Sequence, residues 1–209
     1  GLVGSEMCIR DRLHLSHEMF NDAVEALRSG EKNKVLKSIK LRDEKINDYH
    51  REIRKKVVTY YSVSKDVTNI DSGLVLINTV VDIERIGDYS KNILDLAKHY
   101  PKKFIAEKFS EDLRAIEETV IDRFSSTIKA IEDMDENLAN ELIASYRNDL
   151  GKISDKLVAA SISGDVEIGK ENKTTSVALY ARYLKRIGAH LKNITSLVVN
   201  PFESIGYIK

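Results

Sequence analysis

Residues 84 to 93 read ERIGDYSKNI, and residues 185 to 194 read KRIGAHLKNI. Aligned without a gap, the two stretches share Arg, Ile, Gly, Lys, Asn and Ile, six positions of ten, at a separation of 101 residues in a chain of 209. Self-similarity half a chain apart constrains the fold more than any other feature, because each half then builds the same supersecondary unit.

The residues around the two copies say what that unit is. Only two prolines, Pro101 and Pro201, and ten glycines punctuate the chain, which leaves long stretches free to be helical. From Leu13 onward, Met19, Ala23, Val24 and Leu27 recur at three- and four-residue steps up to Ser29 and Gly30, a C-cap pattern. A second helix is predicted from about Lys32 to Tyr61, with Val35, Ile39, Ile46, Ile53, Val57 and Tyr60 on one stripe. A third runs from about Ser72 to Lys98, with Leu76, Val80, Ile83, Gly87, Ser90 and Leu94 on one face. After Pro101 the plan repeats, with helices over about Ser110 to Met134, Glu136 to Ser161 and Thr175 to Val199, the last stopped by Pro201. In the first of these, Leu113, Ile116, Val120, Phe124, Ile128 and Ile131 share one side. The polar segment SISGDVEIGKENK, residues 161 to 173, reads as a mobile connection. No strand-like alternation appears. The fold class is therefore all-α, two tandem three-helix bundles over residues 13–100 and 101–209.

Composition narrows the function classes. Hydrophobic residues make up 42% and charged residues 32%, a balance that supports a folded core. Lys plus Arg equals Asp plus Glu at 33 each, so no global field steers the chain to nucleic acid or to acidic lipid. Apolar runs are only a few residues long, so no segment inserts across a membrane. The single cysteine, Cys8, has no internal disulfide partner, which fits a reducing compartment. Residues 1–12, GLVGSEMCIRDR, lack a helical pattern continuous with that of the residues after them and resemble a translated sequencing adapter. The natural chain is then expected to continue upstream of about Arg12.

Within the repeated stretch, two kinds of residue separate. Glycine inside a helix costs about 1 kcal/mol relative to alanine. Gly87 and Gly188 both fall on an apolar stripe, where a side chain would wedge helices apart. Glu84 and Asp88 occur only in the first copy, with Lys185 and Ala189 in their places in the second. Carboxylates at i and i+4 project together and repel when ionised. Such a pair is either a solvated face, with Arg85 and Lys91 as countercharge, or the half-shell of a cation site. Asp43 and Asn47 on the preceding helix have the same spacing, and antiparallel packing would bring four oxygen donors to one divalent ion. In SYRNDLGKISDKL the corresponding positions are Arg147 and Gly151, which leaves the second unit without acidic ligands.

These residues resemble the PhoU family of phosphate-uptake regulators, whose hallmark is an acid-x-x-x-Asp motif within E-R-I-G-D followed by Asn-Ile. The likeness runs over about residues 13 to 200. It implies a pair of three-helix bundles, with iron, manganese or another divalent metal held by acidic motifs. Glu84 and Asp88 match that motif, Asp43 matches the acid of the second helix, and Asn47 stands where the family has Asn or Asp. Lys185 and Ala189 break the motif in the second repeat, so any metal is expected in the first repeat only. The tail YLKRIGAHLKNITSLVVNPFESIGY resembles PhoU-like domains behind sodium–phosphate cotransporter membrane domains. The resemblance thus implies a cytoplasmic regulatory domain at the inner face of the plasma membrane, with a freestanding regulator of a phosphate transporter as the alternative. Expected partners are the transporter's membrane domain, fused or separate, a sensor kinase, and a second copy of the chain.

Other classes find less support. A di-metal carboxylate enzyme in a helical bundle needs Glu-x-x-His motifs, and none of His14, His17, His50, His99 and His190 has Glu three residues before it. His190, beside Ala189, is expected to pack rather than to ligate. No phosphate-cradling Gly-rich loop or nucleophile elbow occurs, so no catalysis is expected. A structural bundle without metal remains the plain alternative.

Overall fold

The computed structural model describes residues 3–64, 70–100, 104, 109–163 and 173–199. Its elements are α1 (Val3–Ser29), α2 (Asn33–Ser64), α3 (Ile70–His99), α4 (Ser110–Asp133), α5 (Glu136–Tyr146), a π-helical turn (Arg147–Gly151), α6 (Lys152–Ser163) and α7 (Lys173–Ser196). No strand occurs among the described residues. Because α5, the π-turn and α6 run on without a break, each half supplies three helical rods, as the repeat requires.

The apolar periodicities become the packed faces. All six stripe residues of α3, Gly87 and Ser90 included, are buried. So are Met19, Ala23, Val24 and Leu27 of α1, and Leu113 through Ile128 on the α4 stripe. The α2 stripe is displaced by one residue at both ends: Leu36 and Tyr61 pack inward, while Val35 and Tyr60 are 40% and 39% exposed. Gly30 closes α1 at φ 74°, where an L side chain would be strained, and its N–H donates to the Ala26 carbonyl.

One expectation is corrected at the start of the chain. Helix α1 begins at Val3 rather than at Leu13, so the segment set apart by pattern continues the helix. Once a helix is nucleated each added residue costs little, and Ile9, four residues before Leu13, reaches the core at 7% exposure. Arg12 lies over the Tyr49 ring at 4.8 Å. Most of the predicted 161–173 connection, and both prolines, fall outside the described residues; 161–163 close α6.

Helices α1 and α2 pack on α3, while α4, α5 and α6 pack on α7. The two bundles join through α3 against α7 and α1 against α4. Their buried side chains form one continuous cluster, from Leu13 and Ile46 through Phe104 to Tyr180 and Ile194. Polar ties cross the same boundary. Glu117 of α4, 9% exposed, accepts from Arg28 of α1 at 2.9 Å and from the hydroxyl of Tyr180 of α7. A buried carboxylate is tolerable only when paired in this way.

Candidate functional site at the α2–α3 seam

Antiparallel packing of α2 and α3 brings Asp43 against Gly87. A Cβ on Gly87 would lie 2.9 Å from Asp43 Oδ1, so the missing side chain is what admits the carboxylate. Asp43 is buried, at 4% exposure. Its Oδ2 accepts from Lys91 Nζ and from Asn47 Nδ2, each at 2.7 Å. The same ammonium lies 2.8 Å from Asp88 Oδ1. Arg85 in turn reaches Asp88 Oδ2 at 3.2 Å and Glu84 Oε2 at 3.6 Å.

Of the four predicted donors, Asp43 and Asp88 thus meet around one cation, Lys91, while Asn47 turns its amide N–H to Asp43. Glu84 stands one turn away, facing Arg85. Burial alone would lower the Lys91 pKa, but hydrogen bonds and charge from Asp43 and Asp88 outweigh it and raise it above 10.5. The ammonium therefore stays charged across the physiological range. In this structure Lys91 and Arg85 supply the countercharge to these carboxylates.

The seam tests the metal that the resemblance implies. Asp43 Oδ1 is buried without a hydrogen-bond partner, one acceptor such a metal could use. Against that, the carboxylates that converge are only Asp43 and Asp88, and Lys91 lies between them. Among the described residues no group of three or more His, Cys, Asp or Glu side chains stands where it could hold a metal ion. With Lys91 seated, the donor set does not fit one.

The second repeat makes a different seam. A Cβ on Gly188 would overlap Leu150 Cδ2, so Leu150 faces Gly188 as Asp43 faces Gly87. This corrects the pairing of Arg147 and Gly151 with the acidic positions. The counterpart of Asp43 therefore lies three residues beyond Arg147, inside the π-turn Arg147–Gly151, whose presence shows nowhere in the apolar spacing. Arg123 of α4 holds that turn. It is 5% exposed and donates to the Leu142 carbonyl, to Ser145 Oγ at 2.5 Å and to Asp149 Oδ2 at 3.2 Å. Lys192, which matches Lys91 in the repeat, has lost its acids to Leu150 and Ala189 and lies over the Tyr146 ring at 5.6 Å. Lys185 pairs with Asp155 at 2.5 Å.

Where the two motif helices meet, sequence reasoning found less. His190 Nδ1 lies 2.7 Å from Asp82 Oδ1, and Asn193 Nδ2 donates to the same oxygen at 3.2 Å. His190 also stacks near Tyr89, its own counterpart in the first repeat, at 5.9 Å between ring centroids. It packs, as expected of it, but Asp82 on the far helix carried no sequence signal of the pairing. Alongside the seam, Lys40, Tyr89, Asn92 and Asp95 join Arg85, Asp88 and Lys91 in lining an open cleft of about 440 Å³. Each cation there is paired: Lys40 with Asp95, Arg85 and Lys91 with Asp88.

Fold and seam together define a class: a duplicated three-helix bundle whose third helices carry a shared Arg-Ile-Gly frame and meet at the centre. Residues 9–97 match the family model described as PhoU domain, so the PhoU likeness of the first bundle is shown. The whole chain shares its fold with PhoU from Pseudomonas aeruginosa, at TM-score 0.81 and 20% identity over 95% of this chain and 97% of that one. It likewise matches the phosphate transport system regulatory protein PhoU from Streptococcus pneumoniae, at TM-score 0.82 and 17% identity over 100% of this chain and 97% of that one. No curated protein matches the sequence.

Proposed function

We propose that the chain is a PhoU protein along its whole length and that it restrains phosphate uptake by docking on a phosphate transporter. The observation that carries this reading is the PhoU-domain match over residues 9–97, with ERIGD within it, on a fold shared end to end with two PhoU proteins. The role is regulatory rather than catalytic. The cleft beside ERIGD holds paired charges, with no nucleophile set beside a free base among its lining residues. In this reading the protein works at the cytoplasmic face of the membrane, beside a sensor kinase where one accompanies the transporter, and a second copy of the chain is a further partner.

Two arrangements serve this role. In one, the chain is the regulatory domain of a sodium–phosphate cotransporter, as its C-terminal tail resembles. In the other it is freestanding, an arrangement with which the likeness to the two solved PhoU chains is equally consistent. The test is phosphate uptake in a bacterium lacking its own PhoU. Expression of the chain is expected to lower uptake in phosphate-rich medium, and unchanged uptake with folded protein present would refute the reading. Restraint by the chain alone supports the freestanding arrangement. Restraint only when it is joined behind a cotransporter membrane domain supports the fused one.

A further inference from the structure

The far end of the first bundle, where α2 finishes and α3 begins, is apolar on its outside. Val58, Val63, Ile70 and Leu74 are 62%, 76%, 43% and 39% exposed. Val58, Tyr61, Ile70, Leu74 and Ile77 line one shallow groove of about 330 Å³ between the two helices. Single exposed aliphatics are ordinary, but a contiguous set marks a surface that something covers.

The charge beside this end says what. Arg51, Arg54, Lys55, Val58 and Ser62 follow one another at short steps that keep them on one exposed face of α2. Arg51 pairs with Asp48 and Lys56 with Glu52 at the surface. Arg54 and Lys55 have no ion pair among the described residues, and Asp71 lies in the first turn of α3, between the groove residues Ile70 and Leu74 in sequence. At 1.5 Å per residue, Arg54 and Lys55 sit roughly 5–13 Å back from Val58 and Val63. An apolar end with a cationic collar at that height matches the headgroup–acyl boundary of a bilayer, where aliphatics sink and Lys and Arg reach phosphates. The balanced charge of the whole chain does not oppose this, because screening over about 8 Å leaves the local cluster to act alone. A second copy seated here would set Arg54 and Lys55 against charges of their own sign.

We propose that the α2–α3 end is a peripheral docking surface for anionic lipid. It lies on the membrane rather than spanning it, since no described helix is long and apolar enough to cross. The inference does not depend on the phosphate-transport reading. The test is co-sedimentation of the full chain with phosphatidylglycerol-rich vesicles and with pure phosphatidylcholine vesicles, with no transporter present. Binding is expected to the anionic vesicles only and to weaken as salt rises. Arg54→Glu/Lys55→Glu removes two surface cations and is expected to weaken binding about 30-fold or more. Val58→Asp/Leu74→Asp, at exposed positions, is expected to abolish it with an unchanged helical circular dichroism spectrum. No binding to anionic vesicles at low salt would overturn the proposal, as would equal binding by the parent and both variants. Loss of self-association in Val58→Asp/Leu74→Asp, without vesicle binding by the parent, would overturn it in favour of a contact between copies.

Discussion

Lys91 decides what the repeated frame of ERIGDYSKNI does in this chain. Asp43 is buried, and its charge is tolerated because an ammonium and an amide answer it. Lys91→Met is therefore expected to lower unfolding stability by about 2–4 kcal/mol in urea titrations, since it strands a buried carboxylate. Asp43→Asn/Lys91→Met, which removes both charges, is expected to recover most of that loss. The pKa of Lys91 is raised on folding, so its contribution is complete below 10.5 and is lost as pH climbs through the higher folded value. Lys91→Met also removes the cation that sits between Asp43 and Asp88. Added Mn²⁺ is expected to raise the thermal midpoint of this variant and to leave that of the parent unchanged. The donors themselves were legible in the sequence, because i, i+4 spacing puts two oxygens on one helix face. Lys91 as their countercharge was one of two readings the sequence left open, and the sequence does not choose between them because the choice depends on how closely α2 approaches α3, a distance that Gly87 sets.

At the scale of elements, the repeat predicted the rods and missed how one of them is built. The second seam depends on a π-turn held by Arg123, a charged residue outside the apolar stripe read for α4. Arg123→Ala is expected to cost about 3 kcal/mol in chemical unfolding, since it removes a buried guanidinium that donates to the part-buried Leu142 carbonyl, Ser145 and Asp149. Arg123→Lys is not expected to restore it, because three acceptors need the fork of a guanidinium. Helix α4 ends on Met134 in the left-handed region at φ 50°, exposed at 62%. Met134→Gly relieves that strain, and a gain of about 0.5–1 kcal/mol is expected in the same titration. Gly188 carries the opposite expectation. A methyl there meets Leu150, itself fully buried, and Gly188→Ala is expected to destabilise by about 1–3 kcal/mol despite better helix propensity.

For the whole molecule, the boundary between repeats is not a boundary in the core. One apolar cluster runs through both bundles, so a single cooperative transition is expected in both far-ultraviolet circular dichroism and tyrosine fluorescence. His17 lies on this shared face, stacked on Phe124 at 4.6 Å. Burial first, and then the charge of His14, hold its pKa below 6.5, against a smaller pull from Glu18. A depressed folded value means the stability it contributes is present above 6.5 and is lost as pH falls through that value, since the unfolded chain takes the proton more readily. The thermal midpoint is expected to fall with acidification below 6.5, and less steeply in His17→Phe, with His50 leaving a residual slope. By itself the sequence determined the helices, their duplication and the faces they bury, because those follow from a period of 3.6 residues and from a motif written twice. Only the tertiary structure decided that the halves share one core, that a lysine fills the acidic seam, and that an apolar end stands beside Arg54 and Lys55. Each of these depends on distances between rods, and no spacing along a single rod encodes them.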